Sequence, residues 1–192
     1  TKIGDHTFYK CKSLTSIVIP EGVTEIGEHA FEDCTSLTSI VIPESVTMIV
    51  AGAFSGCSSL TSIEIPSSVT EIGWGAFRGC TSLTSIVIPS SVTEIGDEAF
   101  DGCTSITSIV VEEGNSVYDS REGCNAIIQT KTNTLIQGCN STIIPSRVRV
   151  IGDKAFDGCT SLTSIVIPSS VTKIGEDAFL GCISLTSIEI LS

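Results

Sequence analysis

The sequence predicts an α/β repeat solenoid: short coils stacked into a curved rod, with a parallel sheet along the concave face and short helical turns on the convex face. Three observations predict it. Phe8, Phe31, Phe54, Phe77 and Phe100 follow one another at a step of 23 residues, Phe156 and Phe179 keep that step, and these are all the Phe in the chain. Pro20, Pro43, Pro66 and Pro89, then Pro145 and Pro168, keep the same step. Seven of the nine cysteines (Cys11, Cys34, Cys57, Cys80, Cys103, Cys159 and Cys182) each lie three residues after a Phe.

One unit, at 83–105, reads LTSIVIPSSVTEIGDEAFDGCTS. Leu83, Ile86 and Ile88 have the L-x-x-I-x-I spacing of a short strand whose apolar side chains turn inward. Pro89 has no N–H for a sheet ladder and ends the strand. Val92, Ile95, Ala99 and Phe100 recur at spacings of three to five residues, which predicts a short helical turn packed over the strand. Gly102 and Cys103 close that turn. One unit cannot bury its own apolar face, whereas stacked neighbours make a continuous core.

Units begin at Leu14, Leu37, Leu60, Leu83, Ile106, Leu162 and Leu185, and the 56 residues from Ile106 to Leu162 exceed two units by ten. Cys139-Asn140-Ser141-Thr142-Ile143-Ile144 aligns with LTSIVI, so 106–138 is one irregular unit of 33 residues that lacks the IG-x-x-AF-x-x-C half. In its place stand an acidic, turn-rich stretch and then two apolar runs, 125–129 and 134–137, facing each other across Lys131-Thr132-Asn133. That pattern predicts an inserted β-hairpin. The chain is expected to be a single solenoid over 1–192. It enters mid-unit at Thr1 and stops on a strand at Ile190, without a polar cap at either end. It is therefore expected to be a fragment of a longer chain, with an edge that invites end-to-end self-association.

Apolar residues make up 41 % of the chain and aromatics 5 %, which implies an aliphatic core. A net charge of −12 repels phosphate backbones and anionic membranes, so no nucleic-acid partner is expected. No stretch approaches the ~18 apolar residues of a membrane span, so direct membrane insertion is not expected.

Nothing in the sequence assembles a reaction. There is no G-x-G-x-x-G, no P-loop and no supportable Ser-His-Asp or Cys-His set, so neither an enzyme nor a cofactor is expected. The repeated cysteines read as a ladder of small buried hydrophobes. No two cysteines are closer than 15 residues, unlike the C-x-x-C pairs typical of zinc sites. Cys124 and Cys139 bracket the hairpin and could face each other, although Cys139 also fits a plain core position. His6 and His29 share a repeat position held elsewhere by Gly52, Gly75, Glu98, Lys154 and Asp177, which reads as solvated surface. Asp97, Glu98, Asp101, Glu176 and Asp177 read as a solvated acidic face. Only Glu112, Glu113, Asp119 and Glu122 could bring several oxygens together for calcium.

The strand alternation supplies the candidate site. Between the buried Leu and Ile positions, Ser39, Ser62, Ser85, Ser108 and Ser164 point outward. Two residues on, so do Val41, Glu64, Val87, Val110 and Val166. Such a face is flat, small and mildly apolar, which suits a protein ligand and lacks the aromatic platforms of sugar sites. A face shaped only by β propensity and repeat duplication is the plainer alternative. The loop that breaks the repeat is the secondary candidate, through Glu112, Glu113, Asn115, Tyr118, Asp119 and Glu122.

The pattern LTSI-x-IP-x-x-V-x-x-IG-x-x-AF-x-x-C resembles the BspA-like class of leucine-rich repeats over nearly the whole chain. The resemblance implies a leucine-rich-repeat solenoid in a secreted or cell-surface protein. It also implies adhesion to host, matrix or other cell-surface proteins. A structural spacer holding another domain away from the surface is the alternative function.

Overall fold

A computed structural model describes residues 1–192. The chain winds into coils that stack at the 23-residue step, and their short strands form two separate walls. On the first wall, Ser16–Val18 pairs in parallel with Ser39–Val41, Ser85–Ile88 with Ser108–Val111, and Ser164–Ile167 with Ser187–Ile190. Ile86 and Ile88 are buried there while Ser85 and Val87 are exposed, as a two-residue period requires. On the second wall, Lys2–Ile3, Glu25–Ile26, Met48–Ile49, Glu71–Ile72 and Glu94–Ile95 form one parallel sheet.

This second wall corrects the expected helical turns. Glu94–Ile95 is a strand, residues 97–102 are successive turns, and the only helical element is the 3-10 turn Arg121–Gly123. The reason lies in the backbone N–H groups. His29, Phe31 and Asp33 donate forward to the carbonyls of Ala51, Ala53 and Ser55 in the next coil. Ala30, Glu32 and Cys34 donate back three residues, to Gly27, His29 and Phe31. A helix would need all of these donors for itself; here half of them hold the next coil. The helix-like spacing of Val92, Ile95, Ala99 and Phe100 arises because each corner of the coil turns one side chain inward.

Gly96 explains the close stacking. A Cβ at that position would lie 2.4 Å from the backbone nitrogen of Trp74 in the preceding coil, so only glycine permits this approach. Inside the stack, the rings of Phe31, Phe54, Phe77 and Phe100 succeed one another at 5.4–5.5 Å, within 5° of parallel. The cysteines do more than fill space. The Sγ of Cys57, Cys80 and Cys103 donate to the carbonyls of Phe31, Phe54 and Phe77 at 3.1–3.2 Å, supplying a second, weak partner to buried acceptors.

The irregular unit turns part of the second wall antiparallel. Tyr118–Asp119, Ile127–Gln129 and Thr134–Gln137 pair antiparallel in that order, and Thr134–Gln137 then pairs in parallel with Val150–Ile151. Both faces of the middle strand are covered. Ile127 joins the apolar cluster of the first coils, and Ile128 joins a second cluster with Leu135, Ile151 and Phe156. The strand is a septum between two halves of the core. Gly138 N–H donates to the Ala155 carbonyl, just as Phe31 and Phe54 donate to Ala53 and Ala76. Gly138 thus stands at the Phe step of this unit, and Phe156 closes over it.

Candidate binding surface

Pro20, Pro43 and Pro89 follow the first-wall strands at the same height and Pro66 holds the same repeat position, so the side chain two residues before each Pro repeats at one place per coil. The exposed aliphatic side chains there are Val18 (76 %), Val41 (63 %), Val87 (46 %), Val110 (44 %), Ile143 (75 %) and Val166 (47 %). The pairing register sets Val18 opposite Val41 and Val87 opposite Val110. Glu64 interrupts the row and Glu189 follows it, both exposed. Ser39, Ser62, Ser85 and Ser164 are exposed beside it, while Ser108 is half-buried, with the Ser141 hydroxyl bonded to the adjacent Thr107 carbonyl.

Ile143 and Ser141 were missed by the sequence reasoning. The signal was present, because Cys139 aligned with the first Leu of a unit places Ser141 in the Ser row and Ile143 in the Val row. Thr142, at the inward Ile position, is buried and polar. Its hydroxyl donates to the Asn125 carbonyl at 2.6 Å and accepts the Cys139 N–H at 2.7 Å. The wall is not continuous: residues 60–66 and 141–145 form no strand, which leaves three two-stranded pieces. Ile63, Glu64, Ile65, Val87 and Glu112 line a shallow hollow of about 350 Å³ at the first break. The Thr rows are structural, since Thr38, Thr84 and Thr186 hydroxyls donate to the carbonyls of Thr15, Thr61 and Thr163 one coil earlier.

The secondary candidate loop is held mostly by its own polar groups. Asn115 Nδ2 donates to the Pro89 and Val92 carbonyls at 3.0 and 2.8 Å, and its Oδ1 accepts the N–H groups of Val117 and Tyr118. Tyr118 is buried, and its hydroxyl accepts the Ile95 N–H where the next regular strand would dock. Burial raises the Tyr118 pKa above its usual value. Asp119 takes a two-point contact from Arg121 at 2.6 and 2.8 Å, and Glu112 accepts the Ser90 N–H. Those contacts spend Glu112, Asn115, Tyr118 and Asp119 on the fold; Glu113 and Glu122 are left exposed. The four carboxylates do not converge on one point.

The position of His6 and His29 is not chosen by solvent alone. These residues have φ near +54° and +53°, as do Lys154 (+54°) and Asp177 (+53°), which accounts for the glycines at Gly52 and Gly75. The two imidazoles stack at 5.1 Å. Asp101, read from sequence as solvated, is buried. Its pKa is pushed up to about 6 by burial and by the hydrogen bond and charge of the neighbouring Asp157 carboxyl. Cys124 and Cys139 are separate thiols, Cys139 Sγ bonding to the Asn125 carbonyl and Cys124 Sγ to that of Ala126.

Stacked parallel-strand coils around an aliphatic and Phe core, at this repeat length, define a leucine-rich-repeat solenoid. The BspA-type leucine-rich repeat region matches residues 1–124 and 129–192 in six copies, and the chain belongs to that family. Among solved structures, a leucine-rich cell surface protein from Faecalibacterium prausnitzii is 34 % identical with a TM-score of 0.76, over 98 % of this chain and 58 % of its own. A leucine-rich repeat protein of T. pallidum is 31 % identical with a TM-score of 0.64, over 96 % of this chain and 71 % of its own. A leucine-rich repeat protein from Bacteroides ovatus is 30 % identical with a TM-score of 0.58, over 99 % and 64 %. This chain therefore spans about three fifths of the length of the F. prausnitzii protein. No curated protein sequence matches it. No helix is long and apolar enough to cross a membrane.

Proposed function

We propose that this chain is a protein-binding, adhesion-type module of a secreted or surface-anchored bacterial protein, and that its partner docks on the Val row. The observation that carries this reading is the row itself. Val18, Val41, Val87, Val110, Ile143 and Val166 stay 44–76 % exposed although the fold has buried apolar positions on the same strands. An ordered aliphatic stripe beside small Ser side chains gives a partner flat apolar area at little entropic cost. The cell-surface designation of the F. prausnitzii relative supports the location. End-to-end association through solenoid edges belongs to the same proposal, and concentration-dependent sedimentation tests it.

Surface plasmon resonance against immobilised extracellular-matrix proteins tests the docking face. Val87→Lys is expected to weaken capture about tenfold while leaving the melting temperature unchanged, because that side chain already meets solvent. Ile88→Lys, on the buried side of the same strand, is expected to unfold the protein by placing an unpaired charge in the core. Unchanged binding by Val87→Lys and by Val41→Lys would remove the row as the docking face. The spacer reading gains if those two substitutions are silent in a cell-adhesion assay while deletion of a whole 23-residue coil is not.

A further inference from the structure

The irregular unit leaves a cleft on the side of the molecule away from the Val row. Its volume is about 770 Å³, within the range of ligand-binding pockets. Ile95 and Phe100 of one coil, Tyr118 and Ile136 of the inserted strands, and Gly152 and Lys154 of the coil beyond line it. The cleft exists because the turn wall misses a step. In each earlier coil three N–H groups reach forward, as Gly75, Phe77 and Gly79 do to the carbonyls of Asp97, Ala99 and Asp101. The corresponding N–H groups of Glu98, Phe100 and Gly102 donate to no protein acceptor. Glu98 and Phe100 both line the cleft, and Phe100 is only 1 % exposed. A buried N–H without a partner is costly and rare in native proteins.

These donors and the charges around them specify an occupant. In intact coils they are met by main-chain carbonyls two residues apart, which an extended peptide presents on one edge. The rim holds Asp97, Glu98, Asp153, Glu176 and Asp177 against Lys154 and Lys173, with Glu98 and Lys154 paired to each other at 2.6 Å. The remainder is acidic. We infer that this cleft is a second binding site, for an extended basic peptide segment whose carbonyls bond to the Glu98 and Phe100 N–H groups and whose cationic side chains meet the carboxylate rim.

The site is independent of the Val row, so Val87→Lys leaves it intact. The test uses the full chain and two labelled probes, acetyl-Lys-Ala-Lys-Ala-Lys-amide and its Glu-for-Lys counterpart, in fluorescence polarisation at low and physiological salt. The basic probe is expected to bind and the acidic one to fail. Glu176→Lys should weaken the basic probe about three- to fivefold, the scale of one partly exposed charge pair, whereas the same charge change at Glu21, on a remote coil, should do nothing. Amide hydrogen exchange then locates the probe: the Glu98 and Phe100 N–H groups are expected to slow on its addition. Equal effects of Glu176→Lys and Glu21→Lys, or unchanged exchange at both amides, would overturn the site and reduce the binding to general attraction by an acidic surface.

Discussion

Lys154 Nζ lies 2.6 Å from Glu98 Oε1, although 56 residues separate them in the chain. The two residues hold the same repeat position in the units on either side of the enlarged one. Glu98 Oε2 also meets Arg78 Nη1 at 3.2 Å, so one carboxylate ties three units together where the turn wall lacks its hydrogen bonds.

Glu98→Gln should therefore loosen this junction more than loss of an ordinary surface carboxylate. The expected result is a fall in Tm of roughly 2–4 °C at low salt, shrinking at high salt as screening weakens the wild-type pairs. An unchanged Tm at low salt would show that the inserted strands alone hold the junction.

Asp101 makes stability depend on pH in an unusual sense. Its folded-state pKa, about 6, lies above the ordinary 3.8, so between those values the folded chain keeps a proton that the unfolded chain has lost. Stability from this group rises as pH falls from 6 towards 4, and at pH 7 the folded state bears the cost of the buried charge. Asp101→Asn should raise stability at pH 7 by about 1–2 kcal/mol. It should also remove that slope relative to wild type in urea titrations at pH 4, 5, 6 and 7. A variant less stable than wild type at pH 7 would mean that the contact of Asp101 with Arg78, at 3.6 Å, dominates instead.

Phe77 has a ring stacked on each side and no exposed surface. Phe77→Ala should cost about 3–5 kcal/mol by the large-to-small rule. Phe179, half-buried with one stacked neighbour, should cost less on the same change. Urea denaturation of both variants measures the difference, and a loss below about 1 kcal/mol at Phe77 would contradict its place in the core.

The thiols should divide by position. Cys34, Cys57, Cys80, Cys103, Cys124, Cys139 and Cys159 are buried, Cys11 is exposed and Cys182 half-buried. Burial pushes the Cys57 thiol up to about 12, which removes the reactive thiolate at neutral pH. A thiol reagent on the native protein is expected to modify Cys11 first and Cys182 next, and to reach the buried seven only in denaturant. Rapid native modification of Cys57 or Cys80 would show that the coils open locally.

The repeat, its step, the inward Leu, Ile, Phe and Cys positions and the outward Val row were legible because they depend on local spacing. A strand alternates its faces whatever it packs against, and Pro ends a ladder in any fold. Even Ile143 was within reach once Cys139 had been aligned. What the sequence alone determined is therefore a stacked leucine-rich-repeat coil with one irregular unit.

The helix-like spacing after the Pro misled because the helical and coil-corner geometries place the same side chains inward. They differ in where the N–H groups point, which only the presence of a neighbouring coil decides. The same holds for Gly96, whose need appears only against the Trp74 backbone, and for Asp101, solvated by pattern but buried against Asp157 of a unit far along the chain. The cleft is the clearest case. It comes from donors at Glu98 and Phe100 whose partners the enlarged unit carries elsewhere, and a missing hydrogen-bond partner is a property of the assembled stack rather than of any one repeat.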